Sequence, residues 1–147
     1  MSKGEIVMGA LAPHPPHLVY AENPPQNEAT SEGGWEELRW GTERLTDTET
    51  KQAYDVIINH TPHCATFVGT HFLGVEKFKS LSVDPIFPNI FRYNYDLKVD
   101  VELSKAIHDS AAEEGLLVKM MENPDFRIDY GTITSGHLVN PKWDKPI

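Results

Sequence analysis

Three short apolar runs stand out along the chain, at residues 6–11, 56–58 and 116–121. Each is rich in β-branched or long aliphatic residues and lacks the regular polar alternation of a strand that is exposed on one face. Runs of this kind are typical of strands covered on both faces, as in parallel sheets. The pattern therefore predicts three buried strands.

Helical spacing appears between these runs. Trp35, Leu38, Thr42 and Leu45 repeat every three to four residues and predict a first helix, although Gly41 weakens it. A second helix is predicted from a one-sided apolar face that ends before Gly115, a residue suited to a C-terminal cap. The positions on that face are Val99, Leu103, Ala106, Ile107 and Ser110.

The order of these elements predicts an α/β fold with a mostly parallel central sheet flanked by helices. The segment 69–96 has prolines, aromatic residues and little periodicity, so we expect a long loop that is functional or part of a contact surface. Pro146 and Ile147 resemble the start of another strand. In open α/β sheets ligands bind at the carboxyl ends of the strands, which is where the site is expected.

Length and composition narrow the class of protein. A chain of 147 residues with 39% hydrophobic and 24% charged residues predicts a single globular domain spanning 1–147. The net charge of −9 argues against nucleic acid as a partner. Cys64 is the one cysteine, so no internal disulfide can form, and the N-terminal apolar stretch is broken by Pro13 and Pro15. We therefore expect a cytoplasmic protein without a membrane segment.

Two histidine pairs carry the candidate chemistry: His14 with His17, and His60 with His63. Each pair follows a predicted strand, so both should reach the same edge of the sheet. The prolines between the paired histidines favour an extended backbone, and three residues of polyproline II advance about 9 Å. One pair is therefore poorly placed to share an ion, and a metal would take one histidine from each loop.

Several readings of these residues stay open. Two imidazoles and a carboxylate form the facial triad of non-haem Fe(II) oxygenases, whereas the same imidazoles with water would suit a zinc-dependent hydrolase. A loop histidine is also commonly a solvated or hydrogen-bonded group. Cys64 could be a thiolate ligand or a small buried residue. His71 is expected to be structural, and His108 is expected on the surface beside Asp109.

Four segments carry a resemblance to a known family: 12–20 (APHPPHLVY), 22–28 (ENPPQNE), 84–89 (DPIFPN) and 126–132 (FRIDYGT). In this order they resemble class III extradiol ring-cleavage dioxygenases, and most closely the catalytic subunits of the aminophenol-cleaving branch. The resemblance covers the whole chain but only the N-terminal half of such a subunit. We therefore expect an N-terminal portion that is catalytically incomplete by itself.

The resemblance implies a mononuclear Fe(II) held by two histidines and a glutamate. His14 falls on the first ligand and His63 on the second, while Cys64 stands where the family commonly has tryptophan. Tyr130 falls at a position near the substrate, although a core tyrosine is an equally simple explanation. His17 and His60 have weaker claims, as residues of the pocket or around the ligands.

No carboxylate of this chain matches the family's glutamate ligand, and its acid/base histidine is likewise unmatched. The unmatched carboxylates near the motifs are Glu22, Glu28, Asp84 and Asp129.

The implied activity is extradiol cleavage of an aminophenol or catechol by O₂, in the catabolism of aromatic compounds. The implied assembly is an oligomer, with a non-catalytic alpha subunit as a candidate partner. The alternatives are a non-catalytic binding or scaffold relative of the same fold and a zinc-dependent hydrolase.

Overall fold

A computed structural model describes residues 4–19, 38, 40–41, 44, 54–63, 68–86, 88 and 92–147. A 3₁₀ turn at Pro16–Leu18 precedes the regular elements. In chain order these are β1 (Thr70–Leu73), β2 (Lys77–Val83), β3 (Arg92–Lys98), α1 (Val101–Glu113), β4 (Val118–Met121) and α2 (Tyr130–Val139). Within these ranges no helix has both the length and the apolar character needed to cross a bilayer.

The described strands form two pairs. β1 and β4 are parallel, with Thr70 opposite Val118 and Leu73 opposite Met121. α1 packs against both of them, so parallel strands flanked by a helix confirm the α/β class. β2 and β3 are antiparallel, however, and half of the strands in the described ranges belong to this hairpin. The prediction of a mostly parallel sheet is therefore not met by the described residues.

The hairpin also corrects the prediction of a loop at 69–96. Along β3, Tyr95 and Leu97 are buried while Asn94 and Asp96 are exposed. This alternation is typical of a strand with one face exposed to solvent. On that solvent-exposed face, Lys77 Nζ lies 2.9 Å from Asp96 Oδ1. A hydrogen bond from this lysine is the largest cause that lowers the pKa of Asp96. The period-two pattern was present in the sequence, but the prolines and aromatic residues around it obscured it.

The other predicted strands have mixed outcomes. The run at 116–121 contains β4, which confirms that strand. Residues 6–11 are not a strand: Ile6 and Leu11 are 85% and 101% exposed. An apolar run becomes a strand only where a neighbouring backbone completes its hydrogen bonds, and none of the described strands pairs with this run.

Residues 56–58 do not form a strand either, but their backbone makes a hydrogen bond of the kind found in sheets. Ile57 N–H donates to the Pro146 carbonyl at 3.0 Å, and Ile147 N–H donates to the Lys98 carbonyl at 2.9 Å. The segment 146–147 thus bridges residue 57 and the end of β3. These bonds agree with the strand-like character predicted for Pro146 and Ile147.

The second predicted helix is confirmed as α1. The Asp100 carboxylate caps its N-terminus by accepting the Leu103 N–H at 2.9 Å, and Gly115 adopts φ +82° just beyond its end. Of the predicted first helix, the structure describes Leu38, Trp40 and Gly41 as α-helical and Arg44 as 3₁₀, and its other positions lie outside the described residues.

Two further histidines were assigned structural or surface positions from the sequence. His108 on α1 is more covered than predicted: its side chain is 21% exposed, because its ring meets the edge of Phe72, although Nδ1 lies 2.9 Å from Asp109 as expected. His71 lies half-buried on β1, and neither of its ring nitrogens has a partner among the described residues.

The core lies between the β2–β3 hairpin and α2, where Phe78, Leu97 and Ile133 are almost fully buried. Ile128 is buried in the segment that leads into α2, and its backbone is held by side chains of the hairpin. Its N–H donates to the Tyr95 hydroxyl at 3.0 Å, and its carbonyl accepts the Ser82 hydroxyl at 3.1 Å. These two bonds fix the start of α2 relative to the hairpin.

We predict that Tyr95→Phe destabilises the protein by about 1–3 kcal/mol, because it leaves the buried Ile128 N–H without its partner. Urea unfolding of the full natural protein measures the change. Tyr54→Phe is the matched control, since the half-buried Tyr54 hydroxyl donates one longer bond, 3.3 Å, to the Val139 carbonyl. Equal losses of stability in the two variants would contradict this role of Tyr95.

Candidate functional site

The rings of His14 and His63 lie in contact. His14 precedes the 3₁₀ turn, where Pro15 is extended with φ −59° and ψ 136°, and His63 ends the described segment 54–63. Their Nε2 atoms are 2.6 Å apart and their ring centroids 4.5 Å apart. The predicted proximity is confirmed, with one ring from each loop. The proline argument is met only in part, because Pro15 is extended whereas Pro16 begins the 3₁₀ turn.

Two converging Nε2 atoms form a donor pair that suits a transition metal. Imidazoles bound side by side, with bonds of about 2.1 Å at right angles, would place their nitrogens about 3 Å apart. The rings would therefore need to separate by only a few tenths of an ångström. Without a cation between them, one Nε2–H must donate to the other ring. The residues present thus fit an ion such as Fe(II) or Zn²⁺.

The third donor of a facial triad is not provided by the described residues, which contain no group of three histidine, cysteine or acidic side chains able to hold a metal. Asp84 is buried and accepts the Ile86 N–H at 2.8 Å. Asp129 caps α2. Glu22 and Glu28 lie outside the described residues. The two nearby carboxylates in the described ranges thus have structural partners.

Tyr130, the first residue of α2, completes a cluster of three rings. Its hydroxyl lies 3.3 Å from His63 Nδ1, and the two ring centroids are 4.9 Å apart. The ring also packs against the core, as the explanation of a core tyrosine expects, while a position near the substrate stays a prediction. Burial, followed by the charges of Asp84 and Asp129, raises the pKa of the Tyr130 phenol. The phenol therefore stays neutral to a higher pH than an ordinary tyrosine and can donate a proton or hydrogen bond.

A series of side chains holds the segment 54–63 along α2, in the opposite direction to the helix. Asn59 Nδ2 donates to the Ser135 hydroxyl at 2.9 Å, and the Thr61 hydroxyl donates to Asp129 Oδ1 at 3.0 Å. His63 consequently arrives at the N-terminal end of α2, beside Tyr130. Sequence reasoning missed the role of Asn59 and Thr61, because single polar residues in a loop give no signal of which helix they will contact.

Of the remaining candidates, His60 lines a neighbouring cavity, the structure describes only the backbone of His17, and Cys64 is outside the described ranges. His60 is exposed and lines a neighbouring cavity of about 370 Å³, which is bounded by segment 56–62, β1 and the start of α1. The backbone of His17 lies in the 3₁₀ turn. Cys64 falls outside the described residues, so its predicted position stays a prediction.

Known proteins are similar to this chain in sequence. Residues 8–145 match the family model described as the catalytic LigB subunit of aromatic ring-opening dioxygenase. The 2-aminophenol 1,6-dioxygenase beta subunit of a Pseudomonas species is 54% identical over 147 residues, which cover 100% of this chain and 48% of the relative. The 3,4-dihydroxyphenylacetate 2,3-dioxygenase of Escherichia coli is 22% identical over 140 residues, 93% of this chain and 49% of that protein. The chain therefore spans about half the length of the curated relatives it matches.

We predict that Asp84→Asn lowers the pKa of Tyr130, because it removes a negative charge that opposes ionisation of the phenol while an amide oxygen can still accept the Ile86 N–H. A pH titration of the tyrosine Cζ resonances in metal-free protein, assigned with Tyr130→Phe, measures this. Asp125→Asn removes an exposed charge that is not among the causes of the shift, so it should leave the titration unchanged. A pKa that rises or stays constant in Asp84→Asn would refute the electrostatic explanation.

Proposed function

We propose, on the premise that this chain belongs to the family of catalytic LigB subunits of aromatic ring-opening dioxygenases, that it carries the two histidine ligands of an Fe(II) site for extradiol ring cleavage. The resemblance seen in the four sequence segments is thereby confirmed at the level of the family. One observation carries the proposal: the Nε2 atoms of His14 and His63 converge beside the neutral phenol of Tyr130.

His14 and His63 would hold the iron in this proposal, with a glutamate as the third ligand that the family resemblance implies and no residue of this chain matches. Bound Fe(II) would supply coordination sites for substrate and O₂ side by side and a route for electrons between them. Neutral imidazoles are the form that binds a metal. Both rings come from segments held close to α2 or to the 3₁₀ turn, so the donor pair is largely preorganised.

Tyr130 is proposed as the substrate-facing residue. Its raised pKa keeps the hydroxyl protonated, so it can donate a hydrogen bond to a heteroatom on the aromatic ring of the substrate. Its contact with His63 Nδ1 places that hydroxyl next to a ligand ring. With Nε2 on the metal, the neutral His63 ring would carry its proton on Nδ1 and donate to the phenol oxygen. The phenol would therefore orient the His63 ring and keep its own O–H for a hydrogen bond to the substrate.

The proposed substrate is a small electron-rich ring with adjacent NH₂/OH or OH/OH groups. The relatives are named for 2-aminophenol and for 3,4-dihydroxyphenylacetate, two compounds that share this ortho arrangement of heteroatoms. The greater identity to the beta subunit of the first favours an aminophenol. It also favours assembly into an oligomer with an alpha subunit, and the cytoplasm remains the proposed location.

Two alternatives use the same residues differently. A zinc-dependent hydrolase would place Zn²⁺ and a water between the two imidazoles, and a non-catalytic relative would keep the fold as a binding or scaffold subunit. Metal analysis after anaerobic iron loading separates the three. Stoichiometric Fe(II) with oxygen uptake supports the dioxygenase, activity with zinc alone supports the hydrolase, and no metal supports the scaffold.

We predict that His14→Ala and His63→Ala each reduce ring cleavage by the full natural protein to background, because each removes one donor of the proposed iron site. Ring-fission absorbance and oxygen uptake, measured on a panel of aminophenols and catechols, test this. His108→Ala is the control, since that ring lies on α1 against Phe72 and Asp109. Full activity in either ligand variant, or no oxygen uptake by the unaltered protein with any substrate, would refute the proposal.

A further inference from the structure

The carboxylate of Asp129 accepts three hydrogen bonds and joins α2 to the His63 loop. Oδ1 accepts the Thr132 N–H at 3.0 Å and the Thr61 hydroxyl at 3.0 Å, and Oδ2 accepts the Thr132 hydroxyl at 2.7 Å. The first and third of these bonds, both from Thr132, cap the N-terminus of α2. The second reaches across to a residue 68 positions earlier in the chain and ties the His63 loop to the helix.

The two partners of the Thr61 hydroxyl fix which hydrogen bond it donates and which it accepts. It has one proton, which it donates to the carboxylate, so it meets the His63 N–H at 3.2 Å as an acceptor. The bonds therefore run from the backbone of His63 through Thr61 to Asp129. We refer to Thr61, Asp129 and the backbone N–H of His63 as the loop clasp.

Gly131 allows the clasp to form. A Cβ at this position would lie 2.9 Å from Asp129 Oδ1, 3.1 Å from His63 Cδ2 and 3.2 Å from Thr61 Oγ1. Every one of these close neighbours belongs to the clasp or to the His63 ring. The helix can approach the loop this closely because its second residue has no side chain.

We infer that Thr61 is a positioning residue, which acts through the clasp to hold the His63 ring against Tyr130 and in line with His14. The inference rests on the proposed function, because it assigns to Thr61 the alignment of a metal ligand. His63 is exposed, so packing alone does not orient it, and its ring is held by contacts to His14 and Tyr130. Partners outside the ligand set commonly change metal affinity by about 10–100-fold when they are removed.

Thr61 can be altered without removing the helix cap. Asp129 retains both bonds from Thr132 when the Thr61 hydroxyl is absent, so α2 should remain folded. Valine matches threonine in shape and removes only the hydroxyl, while serine retains it. Thr134→Val is the matched control on α2, because the buried Thr134 hydroxyl has no partner among the described residues.

The test measures Fe(II) affinity by anaerobic calorimetry on the full natural protein, together with the nuclear Overhauser contacts between the His63 and Tyr130 rings in metal-free protein. In Thr61→Val we expect an Fe(II) dissociation constant at least about tenfold weaker and a weakened contact between the two rings. Thr61→Ser should restore both measurements to near the unaltered values, and Thr134→Val should leave them unchanged.

A second variant disturbs the same clasp by steric clash. Gly131→Ala forces a methyl group between Asp129, His63 and Thr61, so it should weaken iron binding in the same direction even if Thr61→Val does not fold. Unchanged iron affinity and ring contacts in folded Thr61→Val would overturn the inference and leave the proposed function standing. If Thr61→Val does not fold, unchanged values in Gly131→Ala would overturn it instead.

Failure of the proposed function has a different signature. If the unaltered protein binds no Fe(II), the dioxygenase proposal fails and the clasp is judged by the ring contacts alone. Loss of the His63–Tyr130 contact in Thr61→Val with rescue by Thr61→Ser would then still support a positioning role, whereas unchanged contacts would refute it.

Discussion

The buried backbone of Ile128 is the constraint on which the site depends. A peptide N–H and carbonyl placed in an apolar core must find partners, and no helix or strand supplies them at this position. The hydroxyls of Tyr95 and Ser82 do so from neighbouring strands of one hairpin. Because both bonds are inside the core, they set where the chain leaves the hairpin and therefore where α2 begins. Asp129 and Tyr130 follow directly, so the position of the candidate site is inherited from the packing of a hairpin that contributes none of the proposed metal ligands.

α2 then serves as the element against which the site is assembled. Most of its residues are buried, among them Ile133, Gly136 and Leu138, so little of the helix is exposed. The segment 54–63 reaches it through polar side chains, because the helix presents hydroxyl and carbonyl groups at Ser135 and Thr132. Hydrogen bonds of this kind are directional, so they fix the distance along the helix at which His63 arrives. Apolar packing alone would bring the segment to the helix but would specify its register less sharply.

Local signals in the sequence predicted the parts of this arrangement that local chemistry decides. The helix α1 and its Gly115 terminus are properties of a few neighbouring residues, and the structure has both, although Ala106 and Ser110 of the predicted face are exposed. Of the two prolines after His14, Pro15 is extended as predicted, whereas Pro16 begins the 3₁₀ turn. The choice of His14 and His63 came from the family resemblance, and their meeting was expected from two strands that end at one edge of the sheet. The rings do meet, although residues 6–11 do not form the first of those strands. The β2–β3 hairpin was missed although its alternation was visible in the sequence. Contacts between distant residues, such as Thr61 with Asp129, are decided by tertiary packing and leave no trace in local spacing.

The electrostatics of the site follow from how its carboxylates are used. Asp84 and Asp129 accept hydrogen bonds from backbone N–H groups, which hold them in place as fixed negative charges. Their effect on Tyr130 is to oppose ionisation of its phenol, which adds to the effect of burial. A cation between His14 and His63 would act in the opposite direction and lower that pKa, because a positive charge near the phenol favours the phenolate. The proton on Tyr130 is therefore subject to two opposed influences, one built into the fold and one that arrives with the metal.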